Sequence, residues 1–222
     1  MVDSAQLATQ HWNETPLFLT DDERYSTYPW LYEAAEFRDH AGEKVLEVGC
    51  GSGCDLLQFA KHGAVATGVD ITDRHLELAR QRVGSLAAVV KADMRHLPFP
   101  DASFDYVYSH GVLHHCSEAE QAASEMLRVL RPGGRLNIQV YALYSASALV
   151  YRLRYGRDWK LHIENSTQPV YLKLYTASQV RRLFPGCRVS FRKYQCYGLR
   201  FVAPLLGWFL VATGIKPVQA PQ

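Results

Sequence analysis

The chain predicts one α/β domain, a mainly parallel sheet with helices on both faces, and three observations carry that reading. Strand-like and helix-like hydrophobic patterns alternate from Lys44 to Tyr141. A glycine-spaced turn, Gly49-Cys50-Gly51-Ser52-Gly53, sits between the apolar run starting at Val45 and a helical segment. At 222 residues and 48% hydrophobic content, the chain can fill one sizeable core and requires no second one.

Strands are expected near 44–49, 64–70, 86–91, 104–109 and 134–141, with later ones near 187–196 and 205–213. Helices are expected near 53–62, 73–83 and 118–130. The first strand leads into the glycine turn, where residues without Cβ permit positive φ and let a ligand approach the backbone. N–H donors at the start of the following helix would face an anionic group. The second strand ends on Asp70, 23 residues after Glu47, where a carboxylate can accept from both hydroxyls of a ribose.

Spacing separates the turn from two other nucleotide loops. A dinucleotide loop, G-x-G-x-x-G, places glycine where Cys54 stands, and a P-loop requires Lys-Ser or Lys-Thr where Cys54-Asp55 stands. The third helix has a capping-box pattern, Ser117 with Glu120, and a stripe of Ala122, Ala123, Met126, Leu127 and Leu130 before Pro132-Gly133-Gly134. The apolar run from Phe201 to Ile215 is short for a membrane span and punctuated by Pro204, Gly207 and Gly214, so it reads as the last buried strand. In an open parallel sheet, ligands bind beyond the carboxyl ends of the strands, so Gly49, Asp70, Asp93 and His110 should converge on one edge.

Glu47 opening a G-x-G-x-G loop, Asp70 on the second strand, Ala92-Asp93-Met94 after the third, and Leu130-Arg131-Pro132-Gly133-Gly134-Arg135-Leu136 before the fifth together resemble the class I S-adenosylmethionine (SAM) methyltransferases. The resemblance implies a Rossmann-like fold with a mainly parallel seven-stranded sheet, SAM as cofactor and S-adenosylhomocysteine as product. It also implies that Glu47, Gly49, Gly51 and Gly53 hold the methionine end, Asp70 the ribose and Asp93 the adenine amino group, with Met94 covering the ring and Ile71 a further cofactor contact. The methyl group would point toward Tyr108-Ser109-His110-Gly111-Val112-Leu113-His114-His115 after the fourth strand.

Histidine titrates near neutral pH and suits proton removal from an acceptor. His110, His114 and His115 are therefore the candidate bases, with His110 also a candidate cofactor contact. The same segment lacks Asn-Pro-Pro-Tyr or Asp-Pro-Pro-Tyr, which argues against base and amide nitrogens as acceptors. No Glu-His pair accompanies the histidines, and no metal is expected.

Residues 1–42 form an aromatic lid segment, residues 43–222 the cofactor-binding domain, and residues 142–176 an insertion over the acceptor pocket. Tyr25, Tyr28, Tyr141, Tyr144 and His162 are the candidate acceptor contacts. The expected partner is a small molecule, partly aromatic or anionic, methylated at a hydroxyl or amine; nucleic acid is not expected. A non-catalytic SAM-binding module and an RNA methyltransferase are the alternatives.

The five cysteines are scattered and lack C-x-x-C spacing, which argues for reduced thiols. The first residues show neither a basic n-region nor an apolar h-region, and a cytoplasmic protein without a transmembrane segment is expected. The net charge of +2 conceals an asymmetry: residues 1–149 carry 12 Lys+Arg against 20 Asp+Glu, and residues 150–222 carry 12 against 2. A basic third of this kind suits an anionic substrate, nucleic acid or a membrane surface.

Overall fold

The computed structural model describes residues 4–14, 20–163, 170–195 and 202–218. Seven strands form one sheet in the order β3-β2-β1-β4-β5-β7-β6. They are β1 (Lys44–Val48), β2 (Val65–Asp70), β3 (Ala88–Lys91), β4 (Phe104–His110), β5 (Leu130–Tyr141), β6 (Arg188–Tyr194) and β7 (Phe209–Ile215). The first five run parallel, and β7 lies antiparallel between β5 and β6. This is the mainly parallel seven-stranded sheet that the resemblance implies.

Period-two alternation sorts side chains to the two faces of the sheet. Val45, Tyr106 and Tyr108 pack on one side with α4 (Cys54–Lys61) and α5 (Asp73–Val83). Leu46, Val48 and Val107 pack on the other with α6 (Ala119–Val129) and α8 (Ala177–Leu183). The N-terminal helices are α1 (Ser4–Glu14), α2 (Asp21–Thr27) and α3 (Leu31–Ala35); α7 (Ala146–Tyr155) and α9 (Ala203–Leu206) complete the set. Among the described residues, no helix is long and apolar enough to cross a membrane.

Three local expectations are corrected. The apolar stretch expected to be a strand from 205 opens with α9, and β7 begins only at Phe209. Pro204 suits the first turn of a helix, and at Gly207 a Cβ would lie 2.6 Å from the Ala203 carbonyl and 2.7 Å from that of Tyr194, so the chain turns there. The expected capping box of α6 does not form: Glu118 is the cap residue, and Ser117 Oγ donates to the Glu118 carboxylate. A complete box occurs instead at α8, where Thr176 and Gln179 satisfy each other. Finally, β5 starts at Leu130 because Arg131 precedes a proline and is pushed to extended backbone, and the Pro132-Gly133-Gly134 kink falls inside the strand, where its register with β4 shifts.

The strand order reverses between β1 and β4. β2 and β3 extend the sheet one way from β1, and β4 and β5 extend it the other, which opens a crevice at the strand ends.

Candidate active site

A cleft of about 1430 Å³, counted with its open mouth, occupies that crevice. Glu47, Gly49, Gly51, Asp70, Ile71, Asp93, Met94 and His110 all line it; Gly53 does not. The expected convergence of Gly49, Asp70, Asp93 and His110 on one edge is therefore present.

The glycine turn works by making room. Gly49, Gly51 and Gly53 all have positive φ. At Gly49 a Cβ would meet Val112 at 2.3 Å, and at Gly53 it would meet the Ala79 backbone at 3.0 Å, so these two let the segment after β4 and α5 pack close. At Gly51 a Cβ would meet no protein atom within 4 Å, although the residue lines the cleft. The N–H groups of the turn itself are used within the protein, which leaves the expected anion donors to the start of α4. Gly49 and Cys50 donate to the Val69 carbonyl at 2.8 and 2.9 Å, Gly51 to Asp70 Oδ2 at 3.0 Å and Gly53 to the Cys50 carbonyl at 2.9 Å.

Three buried carboxylates surround this turn, two held ionised and one not. Asp70 Oδ1 accepts from the Thr72 N–H and hydroxyl at 2.9 and 2.8 Å, and His75 Nδ1 lies 3.6 Å away. Burial works against its charge, but nearby His75 and the Thr72 hydrogen bonds outweigh it and hold Asp70 below the usual carboxylate range. Asp55, in the first turn of α4, takes Arg24 from α2 at 2.6 Å to Nε, together with the Tyr25 and Tyr108 hydroxyls at 2.9 and 2.8 Å. Burial is again opposed there, chiefly by Arg24, and Asp55 stays ionised. Glu47 has no such help: it is buried, its Oε2 has no partner, and burial with the Asp55 charge pushes its carboxyl well above the usual range. Asp93 is held ionised by Arg95, whose guanidinium and backbone N–H engage it at 2.7 to 3.1 Å.

The three candidate histidines separate. His110 lines the cleft, stacks on Tyr108 at 4.1 Å and sets Nε2 2.8 Å from Asn137 Oδ1, while its Nδ1 has no partner. Burial lowers it to about 4, against the Asn137 hydrogen bond. His115 also lines the cleft, meets Trp12 edge-on at 5.3 Å and donates Nδ1–H to the Tyr171 carbonyl at 3.1 Å; burial lowers it to about 4. His114 does not line the cleft: it is fully buried and stacked on Tyr141 at 4.0 Å, with burial and then His115 driving it far below the usual histidine range.

The acceptor candidates divide in the same way. Tyr28 and Tyr141 line the cleft together with Trp30 and Phe209, each ring 5.1 to 5.7 Å from Phe209. Tyr25, Tyr144 and His162 do not line it. Tyr25 gives its hydroxyl to Asp55, Tyr144 is exposed, and His162 is exposed and stacks on Tyr155 at 3.8 Å. Of residues 150–222, Phe209 alone lines the cleft among the described residues, and no described cation of the basic third reaches it.

Arg24, Asp55, Trp30, Asn137, Gln139 and Phe209 escaped the sequence reading. Two of them had a signal: Asn137 and Gln139 are polar at alternate positions of the otherwise apolar run Leu136–Tyr141 in a central strand, and both are buried. The residues fit the methionine and ribose ends of SAM. Glu47 Oε2 is an orphaned acceptor for an ammonium, and Asp70 is a pinned carboxylate beside space that a Cβ at Gly51 would enter.

Residues 46–138 match the family model of a methyltransferase domain. The chain is similar to "Methyltransferase GfsG" of Streptomyces halstedii, 42% identical over 114 residues, or 49% of this chain and 40% of that protein. It is also similar to the 27-O-demethylrifamycin SV methyltransferase of Amycolatopsis mediterranei, 35% identical over 114 residues, or 49% of this chain and 42% of the relative. The match thus spans about two fifths of the length of these curated relatives. An S-adenosylmethionine-dependent methyltransferase from Mesorhizobium loti shares the fold, with TM-score 0.69 and 18% identity over 86% of this chain and 99% of that one. Residues 46–138, which hold the strand ends and the glycine turn of the cleft, carry a methyltransferase domain, and the chain has the fold of the S-adenosylmethionine-dependent methyltransferases.

Proposed function

We propose that this chain methylates a small, partly aromatic acceptor at a hydroxyl or amine, with His110 taking the proton. One observation carries the reading. Glu47 Oε2, His75 Nε2, His110 Nδ1 and Gln139 Nε2 are buried polar atoms without a partner, and all four residues line the same cleft. A folded protein leaves few such atoms unsatisfied, so their grouping supports a polar ligand completing the set.

Bound SAM supplies an electrophilic sulfonium methyl group. In this reading Glu47 receives the ammonium of its methionine end, Asp70 the ribose hydroxyls, and Ile71 with Met94 the apolar surround of the base. Asp93, already gripped by Arg95, has lone pairs left for one further donor. Tyr28, Trp30, Tyr141 and Phe209 form the wall against which a ring would lie, which excludes water from the acceptor. His110 Nδ1, a bare acceptor, receives the acceptor's proton, and Gln139 on the neighbouring strand orients it.

Residues 1–42 act as the lid segment, since α2 is latched to α4 through Arg24 and Asp55. Residues 43–222 are the cofactor domain, and residues 142–176 the insertion beside the acceptor wall. Incubation with methyl-labelled SAM and a metabolite extract tests the proposal: a labelled small molecule is expected. SAM binding without any labelled product would favour a non-catalytic SAM-binding module instead.

A further inference from the structure

The positive charge of residues 150–222 collects on a surface outside the cleft. Helix α7 buries only Ala148, while Leu149, Val150 and Leu153 on its outer face are 58%, 46% and 79% exposed. The exposed Arg152, Arg154, Arg157 and Lys160 share this stretch, and none has a carboxylate partner among the described residues. Arg152 lies 4.9 Å over the Trp159 ring and Arg154 5.4 Å over Tyr155, so both guanidinium groups are held on the helix with their charge unneutralised. The apolar surface continues: Lys193 Nζ donates to the Tyr144 and Leu205 carbonyls at 2.6 and 2.8 Å, which ties exposed Leu205 and Leu206 of α9 to the entry of α7.

We propose that α7, with Tyr144 and α9 beside it, is an interfacial anchor that docks this protein on an anionic lipid bilayer. Leu149, Val150 and Leu153 would enter the headgroup boundary, and the four cations would pair with lipid phosphates. Charge complementarity selects this occupant. A second copy meeting the same face would press four cations against four. On the helix Arg152 and Arg154 border the stripe of Leu149, Val150 and Leu153 on its two sides, so cations flank the apolar surface as headgroup phosphates require. Intermixed aliphatic and basic residues on a short surface helix are the pattern of an interface with headgroups. The proposal is independent of the reading of the cleft.

Vesicle flotation of the full chain tests it, using phosphatidylcholine with and without phosphatidylglycerol. Retention on the anionic vesicles at low salt is expected, with little on the neutral ones. Leu149→Asp combined with Leu153→Asp should lower the partition coefficient about tenfold or more, and so should Arg154→Glu combined with Arg157→Glu. These side chains are exposed, and circular dichroism with a SAM titration verifies that each variant is folded. No retention on anionic vesicles at low salt would overturn the proposal. So would retention that both variants leave unchanged, or a lipid-free self-association that both abolish, which would make the occupant a second copy.

Discussion

Asn137 spends both ends of its amide on fixing His110: Nδ2 donates to the Ala34 carbonyl at 2.6 Å, which turns Oδ1 toward His110 Nε2 at 2.8 Å. A backbone carbonyl only accepts, so the amide has one orientation and the imidazole one tautomer, with the proton on Nε2 and the lone pair on Nδ1. Ring-nitrogen NMR should find this tautomer at neutral pH, with His110 titrating near 4. Asn137→Asp places a carboxylate on Nε2–H and should raise that value by a unit or more. An Nδ1–H tautomer, or a variant that titrates as the wild type, would remove Asn137 from the orienting role.

Stability should fall in acid through the buried histidines. The folded-state values of His110 and His115, about 4, lie below the ordinary 6.5, so the unfolded chain binds more protons between those limits. Stability is then fully present above pH 6.5 and is lost as pH falls toward 4, on the order of 3 kcal/mol for each histidine. Denaturant titrations across pH 4 to 7 measure the slope, and His115→Gln should reduce it while His110 and His114 keep their shares.

Arg24 is the charge partner of Asp55, which is 1% exposed. Arg24→Ala would leave that carboxylate buried with only the Tyr25 and Tyr108 hydroxyls, at a cost of about 3–5 kcal/mol. Replacing the pair together, Arg24→Met with Asp55→Leu, should cost far less. A chemical-denaturation double-mutant cycle distinguishes the two, and equal losses in both variants would contradict the account of α2 as a latched element.

The glycines of the site divide by what a methyl group would meet. At Gly68 a Cβ would collide with Leu56 Cδ2 at 2.6 Å and Cys50 at 2.9 Å, so Gly68→Ala should lower stability by about 1–3 kcal/mol. At Gly51 nothing of the protein stands within 4 Å, and Gly51→Ala should cost about 1–2 kcal/mol of backbone strain yet weaken SAM binding more than Gly68→Ala does. Thermal melts beside SAM titrations separate the two effects.

Local patterns made the sheet and the cofactor half legible. Val45, Leu46 and Val48 are apolar on both faces of the sheet, and the glycine turn with Asp70 is a contiguous signal about one strand–helix–strand unit long. The acceptor half depends on distant segments meeting. Arg24 reaches Asp55 across 31 positions, and Phe209 joins Tyr28 and Trp30 only because β7 inserts antiparallel beside β5. No spacing rule announces such contacts. The histidine pair shows the same limit: His114 and His115 are adjacent in the chain, yet a 3-10 turn buries one away from the cleft and leaves the other on its wall.

Calorimetric titration with SAM and with S-adenosylhomocysteine tests the central claim, that the Glu47–Asp70 cleft holds this cofactor. The account predicts that both bind, that Asp70→Ala weakens both about ten- to a hundredfold through the lost charged acceptor, and that binding releases protons above pH 4.5 as the ammonium ionises Glu47. Absence of binding to the folded protein, or an Asp70→Ala variant with unchanged affinity, would contradict it.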